Sequence, residues 1–373
     1  SSLAVAGIAI AVVSEFFLSL SMLSRAVFQA FEKMIYDPVV SIIYCLLLSA
    51  GITVAIVLDW GLLGLLGAAA IANAAQFLIS ARIFSSRFVR PSFDFDKSVL
   101  RTYLKDAAVI GIGIFFYQNL FRINVLMLKW LGKIEDVAYF QIAHNFIMQL
   151  QVLPFAFVTA VFPVFSRLLS EEPARMRDAY QRIFRYILIL SFFVSLFIFG
   201  FSREIVETVF GSKYDRSAAA LMIVSWAVAP LALDMLMNSM LIAMDKQRYA
   251  VIYAGVTLLL NLIFAVLLIP SHGFIAASWL SLSSYVLLLM FSLYFVSRNG
   301  LGGVSSCVLL KTLLAGLIGL AAIYFLKSVS AVFAFMAASG LYFGALYRMH
   351  VFGTDDITLL RGLYSRSQSK EDS

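Results

Sequence analysis

Eleven stretches of about twenty residues, each almost wholly apolar, account for most of this 373-residue chain. They fall at roughly 3–30, 39–58, 61–83, 106–129, 137–166, 183–202, 217–242, 249–270, 273–296, 304–326 and 330–349. Twenty helical residues span about 30 Å, the thickness of a bilayer's hydrocarbon core. The stretches are continuously apolar and do not alternate. That excludes a membrane β-barrel, whose strands turn one face to lipid and the other to the lumen. With 62% hydrophobic and 13% charged residues, a soluble domain is excluded too. The sequence predicts an all-α polytopic membrane protein.

The net charge of +7 has a topological origin rather than a nucleic-acid one. If the first span runs outward to inward, twenty of the 28 Lys and Arg residues fall in cytoplasmic loops and the tail. Six fall outside: Lys129, Lys133, Arg203, Lys213, Arg216 and Lys327. Arg25 and Arg122 lie within spans. This positive-inside bias predicts a multi-pass protein of the cytoplasmic membrane with a cytoplasmic C-terminus. Cys45 and Cys307 lack metal-site spacing and read as inert thiols, so neither a metal nor a cofactor is expected.

Within the array a segment repeats. Ala30-Phe31-Glu32-Lys33, two residues before Ile35-Tyr36, recurs as Ala243-Met244-Asp245-Lys246, two before Arg248-Tyr249. Each copy leads into an apolar run and then a turn, Asp59-Trp60-Gly61 in one and Ser271-His272-Gly273 in the other. A shift of six helices gives both lobes the same orientation, the parallel duplication found in transporters. On this reading residues 1–83 are three helices of an N-terminal lobe, and 84–105 are a cytoplasmic linker. Residues 106–297 form a six-helix C-terminal lobe, 298–350 a terminal helix pair, and 351–373 a cytoplasmic tail. Three further helices are expected before Ser1. Asp94-Phe95-Asp96 in the linker has the form of a glycosyltransferase metal–nucleotide-sugar triplet, but no βαβ pattern surrounds it, and it reads as solvated linker. Basic segment 166–185 reads as an interfacial helix on anionic lipid, and the tail after Thr354-Asp355 as a short amphipathic helix.

Polar groups inside spans are costly and mark protein contacts or water. On the first helix Ser14, Glu15, Ser19, Arg25, Gln29 and Glu32 share one arc; on the fourth, Gln118, Asn119 and Arg122 do. On the fifth, Gln141, His144, Asn145 and Gln149 share one half, and Pro154 is expected to interrupt the helix. Asn73, Asn261 and Asn238 read as interhelical hydrogen-bond partners. Arg25 and Arg122 are candidates for a bound anion, since Glu15 lies about 15 Å along the helix from Arg25, and a guanidinium fork matches phosphate oxygens. The ion-coupling candidates are Glu15, Asp234 and His144.

In this order the chain resembles the polysaccharide (O-antigen type) flippases of the multidrug/oligosaccharidyl-lipid/polysaccharide exporter, or MATE-like, superfamily. The resemblance is carried by Arg25–Lys33, Leu120–Asn124, Val137–Ala143, Val161–Arg167, Val209–Tyr214, Asn261 with Leu268–Gly273, and Asp356-Ile357, over nearly the whole chain. Where many relatives carry an acid this chain has Asn124, which argues against ion coupling at that position. The resemblance implies about fourteen helices and a polyprenyl-diphosphate-linked oligosaccharide substrate, flipped from the cytoplasmic to the outer leaflet. Arg25 and Arg122 would hold the diphosphate, and Gln118, Asn119, Asn145 and Gln149 the sugar hydroxyls. Membrane lipids and polysaccharide-assembly proteins are the expected partners, and nucleic acid is not. A drug/cation antiporter or a lipid II flippase of the same superfamily is the alternative. From other classes, a membrane polysaccharide polymerase or glycosyltransferase would need a free acid or base such as Glu204 or Glu207 in the outer loop, and a scaffold would not need polar inner faces.

Overall fold

The computed structural model describes residues 2–31, 33, 35–88, 97–171, 173–301, 306–328 and 330–351, and every regular element among them is helical. Glu32, the Asp94–Asp96 triplet and the expected tail helix lie outside these residues. The chain divides into two compact units, Ser1–Leu100 and Arg101–Ser373.

The first unit contains α1 (Ser2–Ala30), α2 (Tyr36–Val57) and α3 (Gly61–Arg87). Because lipid is as apolar as the side chains, hydrophobicity alone does not pair these helices; small residues and hydrogen bonds do. Gly51 lets α2 approach α3 so closely that a Cβ there would stand 2.9 Å from Ala68 Cβ. Between α1 and α3, Asn73 Nδ2 donates to Ser14 Oγ at 2.9 Å, and the hydroxyls of Ser21 and Ser80 meet at 3.3 Å. Asn73 thus takes the interhelical role its position suggested.

The repeated segments share a backbone motif. Lys33 N–H bonds back to Phe28 O at 3.0 Å and Lys246 N–H to Leu241 O at 2.7 Å, each five residues earlier. Tyr36 and Tyr249 then bond to the carbonyls of Lys33 and Lys246, at 3.5 and 3.0 Å. A five-residue reach closes a helix by satisfying a carbonyl the ladder leaves open. Asp245 pays for it with a φ of 57°, which an aspartate tolerates better than most residues.

The second unit contains α4 (Lys97–Leu131), α5 (Ile134–Leu150), α6 (Val152–Glu171), α7 (Pro173–Gly200), α8 (Ser202–Phe210), α9 (Ser217–Ser225), α10 (Val228–Ala243), α11 (Gln247–Val296), α12 (Ser306–Leu326) and α13 (Ala331–Arg348). At its centre is α10, buried nearly all round, as expected of a helix without a polar face. The fifth apolar stretch is two helices that part at Gln151, three residues before Pro154. The basic segment 166–185 is not a separate interfacial helix: α7 runs unbroken from Pro173 to Gly200, and Arg175, Arg177, Arg182 and Arg185 ride on its first turns.

Gly273 breaks α11 into two arms with φ 53° and ψ −133°, just after Pro270. Asn261 of the first arm bonds Leu280 O at 3.3 Å and Ser284 Oγ at 2.7 Å on the second, so the arms lie side by side. Among the described residues eight helices are long and apolar enough to cross a membrane, or ten if two bent pairs count. One of the eight holds both arms of α11; counted separately, they give the eleven spans expected.

The terminal pair, α12 and α13, is fastened to α7. Tyr342 donates to Ile189 O at 2.9 Å, and Gly316 makes room for the Phe192 ring. At one end Lys327 Nζ meets Gly200 O at 2.7 Å and Glu204 at 2.9 Å. At the other, Lys311 donates to Met349 O at 2.7 Å and Arg185 to Val351 O at 3.0 Å, cations at a helix C-terminus as its dipole favours.

Gly273→Ala would force a side chain into a backbone region reserved for glycine and place its Cβ 2.2 Å from an Asp136 carboxylate oxygen. We expect a loss of roughly 1–3 kcal/mol for the strain alone, read as a lowered melting temperature in detergent. Gly340→Ala, where the added carbon meets nothing within 4 Å, should cause no loss.

Candidate functional site

A short turn through Gly132 and Lys133 sets α4 and α5 next to one another in sequence, and one stripe of each lines a common hollow. From α4 come Gln118, Asn119, Arg122, Val125 and Leu126; from α5 come Gln141, His144, Asn145 and Met148. Their spacings of three and four residues are those of single helix faces. The cavity they enclose is about 740 Å³, within the range of small-molecule sites.

Among the described residues Arg122 is the one of fixed charge on this wall, and no Asp or Glu lines it. Among the described residues no carboxylate pairs with Arg122. Four amides surround it, of which Asn119 donates to Phe115 O of its own helix at 2.8 Å. His144 is buried, its ring stacked on Phe140 at 5.2 Å and on Tyr285 at 6.4 Å, so its orientation is fixed by aromatic packing. Chemically the wall offers one guanidinium and several neutral donors and acceptors. That suits an anion carrying hydroxyl groups and offers no counter-charge to a cation.

The structure brings together Gln118, Asn119, Arg122, His144 and Asn145 from the predicted set. It adds Gln141, which helical spacing had placed on the same half of its helix. Gln149 is exposed and lies past the lining, close to the end of α5 at Leu150. Arg25 is in the first unit, where its Nε donates to Asp37 in the opening turn of α2; the two side chains are 28% and 24% exposed. Asp37, not Glu15, neutralises it. The signal available in the sequence was Tyr36-Asp37-Pro38, an acid and a first-turn proline directly after a tight turn. Glu15 is exposed, with Ser19 bonded to its backbone oxygen at 2.8 Å. Asp234 is fully buried in α10 and accepts a hydrogen bond from Tyr117. Asn124, also fully buried, donates to Ser281 Oγ at 3.0 Å, an interhelical tie.

On α8, Glu207 pairs with Arg203 at 2.8 Å and Glu204 with Lys327, and Asp215 beyond the helix reaches Arg203 at 3.3 Å. No group of three or more His, Cys, Asp or Glu able to hold a metal exists among the described residues.

The Arg25–Asp37 pair is partly shielded, and removing one partner leaves the other uncompensated. A double-mutant cycle on Arg25→Met and Asp37→Leu should show a coupling of about 0.5–3 kcal/mol, measured by thermal unfolding in detergent; strict additivity would mean the pair is solvated and idle.

Comparison with known proteins agrees with this architecture. The family model described as "Polysaccharide biosynthesis protein" matches residues 1–169, and the MatE model matches 110–267. An uncharacterised membrane protein of Methanocaldococcus jannaschii is 22% identical over 289 residues, covering 76% of this chain and 56% of the relative. The chain thus spans little more than half that relative's length. The lipid II flippase MurJ, in its inward closed conformation, matches 90% of this chain with a TM-score of 0.70 and 15% identity, over 73% of its own length. The two family matches overlap at residues 110–169, so the chain is similar to polysaccharide-biosynthesis and MatE proteins over residues 1–267, and the likeness to the solved flippase shows a shared fold.

Proposed function

We propose that this chain is a transporter, not an enzyme. It moves a polyprenyl-diphosphate-linked oligosaccharide from the cytoplasmic to the outer leaflet by alternating access. The observation that supports this reading above all is the Arg122 guanidinium, which pairs with no carboxylate among the described residues, in a cavity whose other described polar groups are amides and one imidazole. Arginine offers two parallel donors to a phosphate, and amides such as Gln118, Asn119, Gln141 and Asn145 exchange hydrogen bonds with sugar hydroxyls without selecting for charge. Arg25 is a second anion ligand in this scheme, held by Asp37 until a phosphate oxygen replaces the carboxylate. Such a substrate's tail stays in lipid while only the head group enters the protein.

A drug/cation antiporter calls for acidic groups on the wall, and none is found among the described lining residues. A polymerase or glycosyltransferase calls for a free acid or base, whereas Glu204 and Glu207 are tied into ion pairs. The MurJ likeness favours a lipid-linked head group over a drug.

The test is replacement of Arg122 in the full-length protein. Losing a charge-assisted hydrogen bond worth about 1.5–3 kcal/mol should lower flipping roughly 10- to 100-fold in Arg122→Ala at unchanged membrane abundance. Arg122→Lys should recover part of it, and Arg25→Ala should cost less than Arg122→Ala. Binding of a short polyprenyl diphosphate should fall in parallel, while an organic cation should bind neither form. Undiminished surface polysaccharide from Arg122→Ala would remove the anion site and the substrate class with it.

A further inference from the structure

The Val209–Tyr214 stretch lines no part of the cavity, yet its construction is specific. α8 begins two residues after α7 ends at Gly200, and α9, the first half of a bent candidate span, begins at Ser217. The connection therefore starts and finishes at the ends of spans on one side of the bilayer. On α8, Ile205, Val206, Val209 and Phe210 fall within an arc of about 140°, and Arg203, Glu204, Glu207 and Thr208 take the rest. The first half of that apolar face packs inward, with Val206 buried and Ile205 against the core. The second half does not: Val209 is 60% exposed and Phe210 37%.

Charge divides in the same way. Arg203 answers Glu207 and Asp215, and Lys327 answers Glu204, so each acid of the connection is matched. Lys213 and Arg216 are exposed, and neither has an ion pair among the described residues. Lys213 lies over the Tyr214 ring, 5.9 Å from its centre. Gly211 folds these cations back beside Phe210, with φ 88° and ψ 161° and its carbonyl accepting from Tyr214 N–H at 3.1 Å. A Cβ on Gly211 would meet nothing within 4 Å, so glycine serves the turn and not the packing. Open apolar side chains next to uncompensated cations, at the level where spans end, match the boundary between headgroups and acyl chains.

We propose that α8 and the turn after it form a lipid-binding surface. Val209 and Phe210 enter the acyl boundary of the leaflet at this end of α7, and Lys213 and Arg216 hold the phosphate of an anionic phospholipid beside them. Because Glu204 pairs with Lys327, which also grips Gly200 O, the lipid contact is tied to the junction of α7 with the terminal pair. The surface is independent of what the cavity carries.

Fluorescence quenching of the full-length protein in lipid nanodiscs tests this, with Cys45 and Cys307 replaced by Ser and a bimane label on Phe210→Cys or, separately, Val209→Cys. Phospholipids carrying a nitroxide near the headgroup should quench both labels, phosphatidylglycerol more strongly than phosphatidylcholine. Lys213→Gln should lower that preference about fivefold, the equivalent of about 1 kcal/mol per cation. A label on Thr208→Cys, on the polar face, should instead be quenched by aqueous acrylamide. Acrylamide quenching at 209 and 210 equal to that at 208 would put the segment in water and end the proposal. Labels reached by neither quencher would mean that protein covers the face, and equal quenching by the two lipids would remove the anionic headgroup; either result overturns it.

Discussion

In hydrocarbon a polar group has no water to fall back on, and that single condition explains where most of the described polar side chains within the spans are found. Ser14 meets Asn73, Ser21 meets Ser80, Asn124 meets Ser281, and Asn261 meets Ser284, each across two helices or two arms of one helix. These bonds are individually modest, near 0.6 kcal/mol in membranes. Their larger effect is on register, because a one-residue slide of either helix strands both partners in an apolar medium. The glycines act in the same direction by letting backbones approach, as Gly51 does against Ala68 and Gly316 against the Phe192 ring.

Against this background the exceptions are the candidates for function. Arg122 is polar, lies within a span and faces a hollow, with no carboxylate partner among the described residues. Asp234 is polar and fully buried, and the polar side chains described around it are hydroxyls. Arg25 looked like the first kind in sequence and proves to be paired. The difference comes from a turn. The residues between α1 and α2 return the chain so promptly that Asp37 arrives beside a residue twelve positions earlier.

Much of this was legible in the sequence because hydrophobic length and helical spacing are local properties. The eleven apolar stretches, the repeat, and the faces of α4 and α5 follow from them. What stayed hidden depends on the third dimension. Helical spacing put Gln141 and Gln149 on one half of α5, but only the position of α4 decides that the first lines the cavity and the second lies past it. The Asp37 partnership depends on turn geometry, and the isolation of Asp234 on which helices surround α10. The unbroken α7 was missed because four arginines depress hydropathy over turns that nevertheless remain helical.

The fastening of α12 and α13 has a mechanical corollary. Lys327 grips the last carbonyl of α7 at one end, while Arg185 and Lys311 hold the far end of α13 at the other. A rod clamped at both tips cannot swing independently of its support. Any tilt of α7 must drag the terminal pair along as ballast, making those two helices an outrigger of their unit and not a hinged flap.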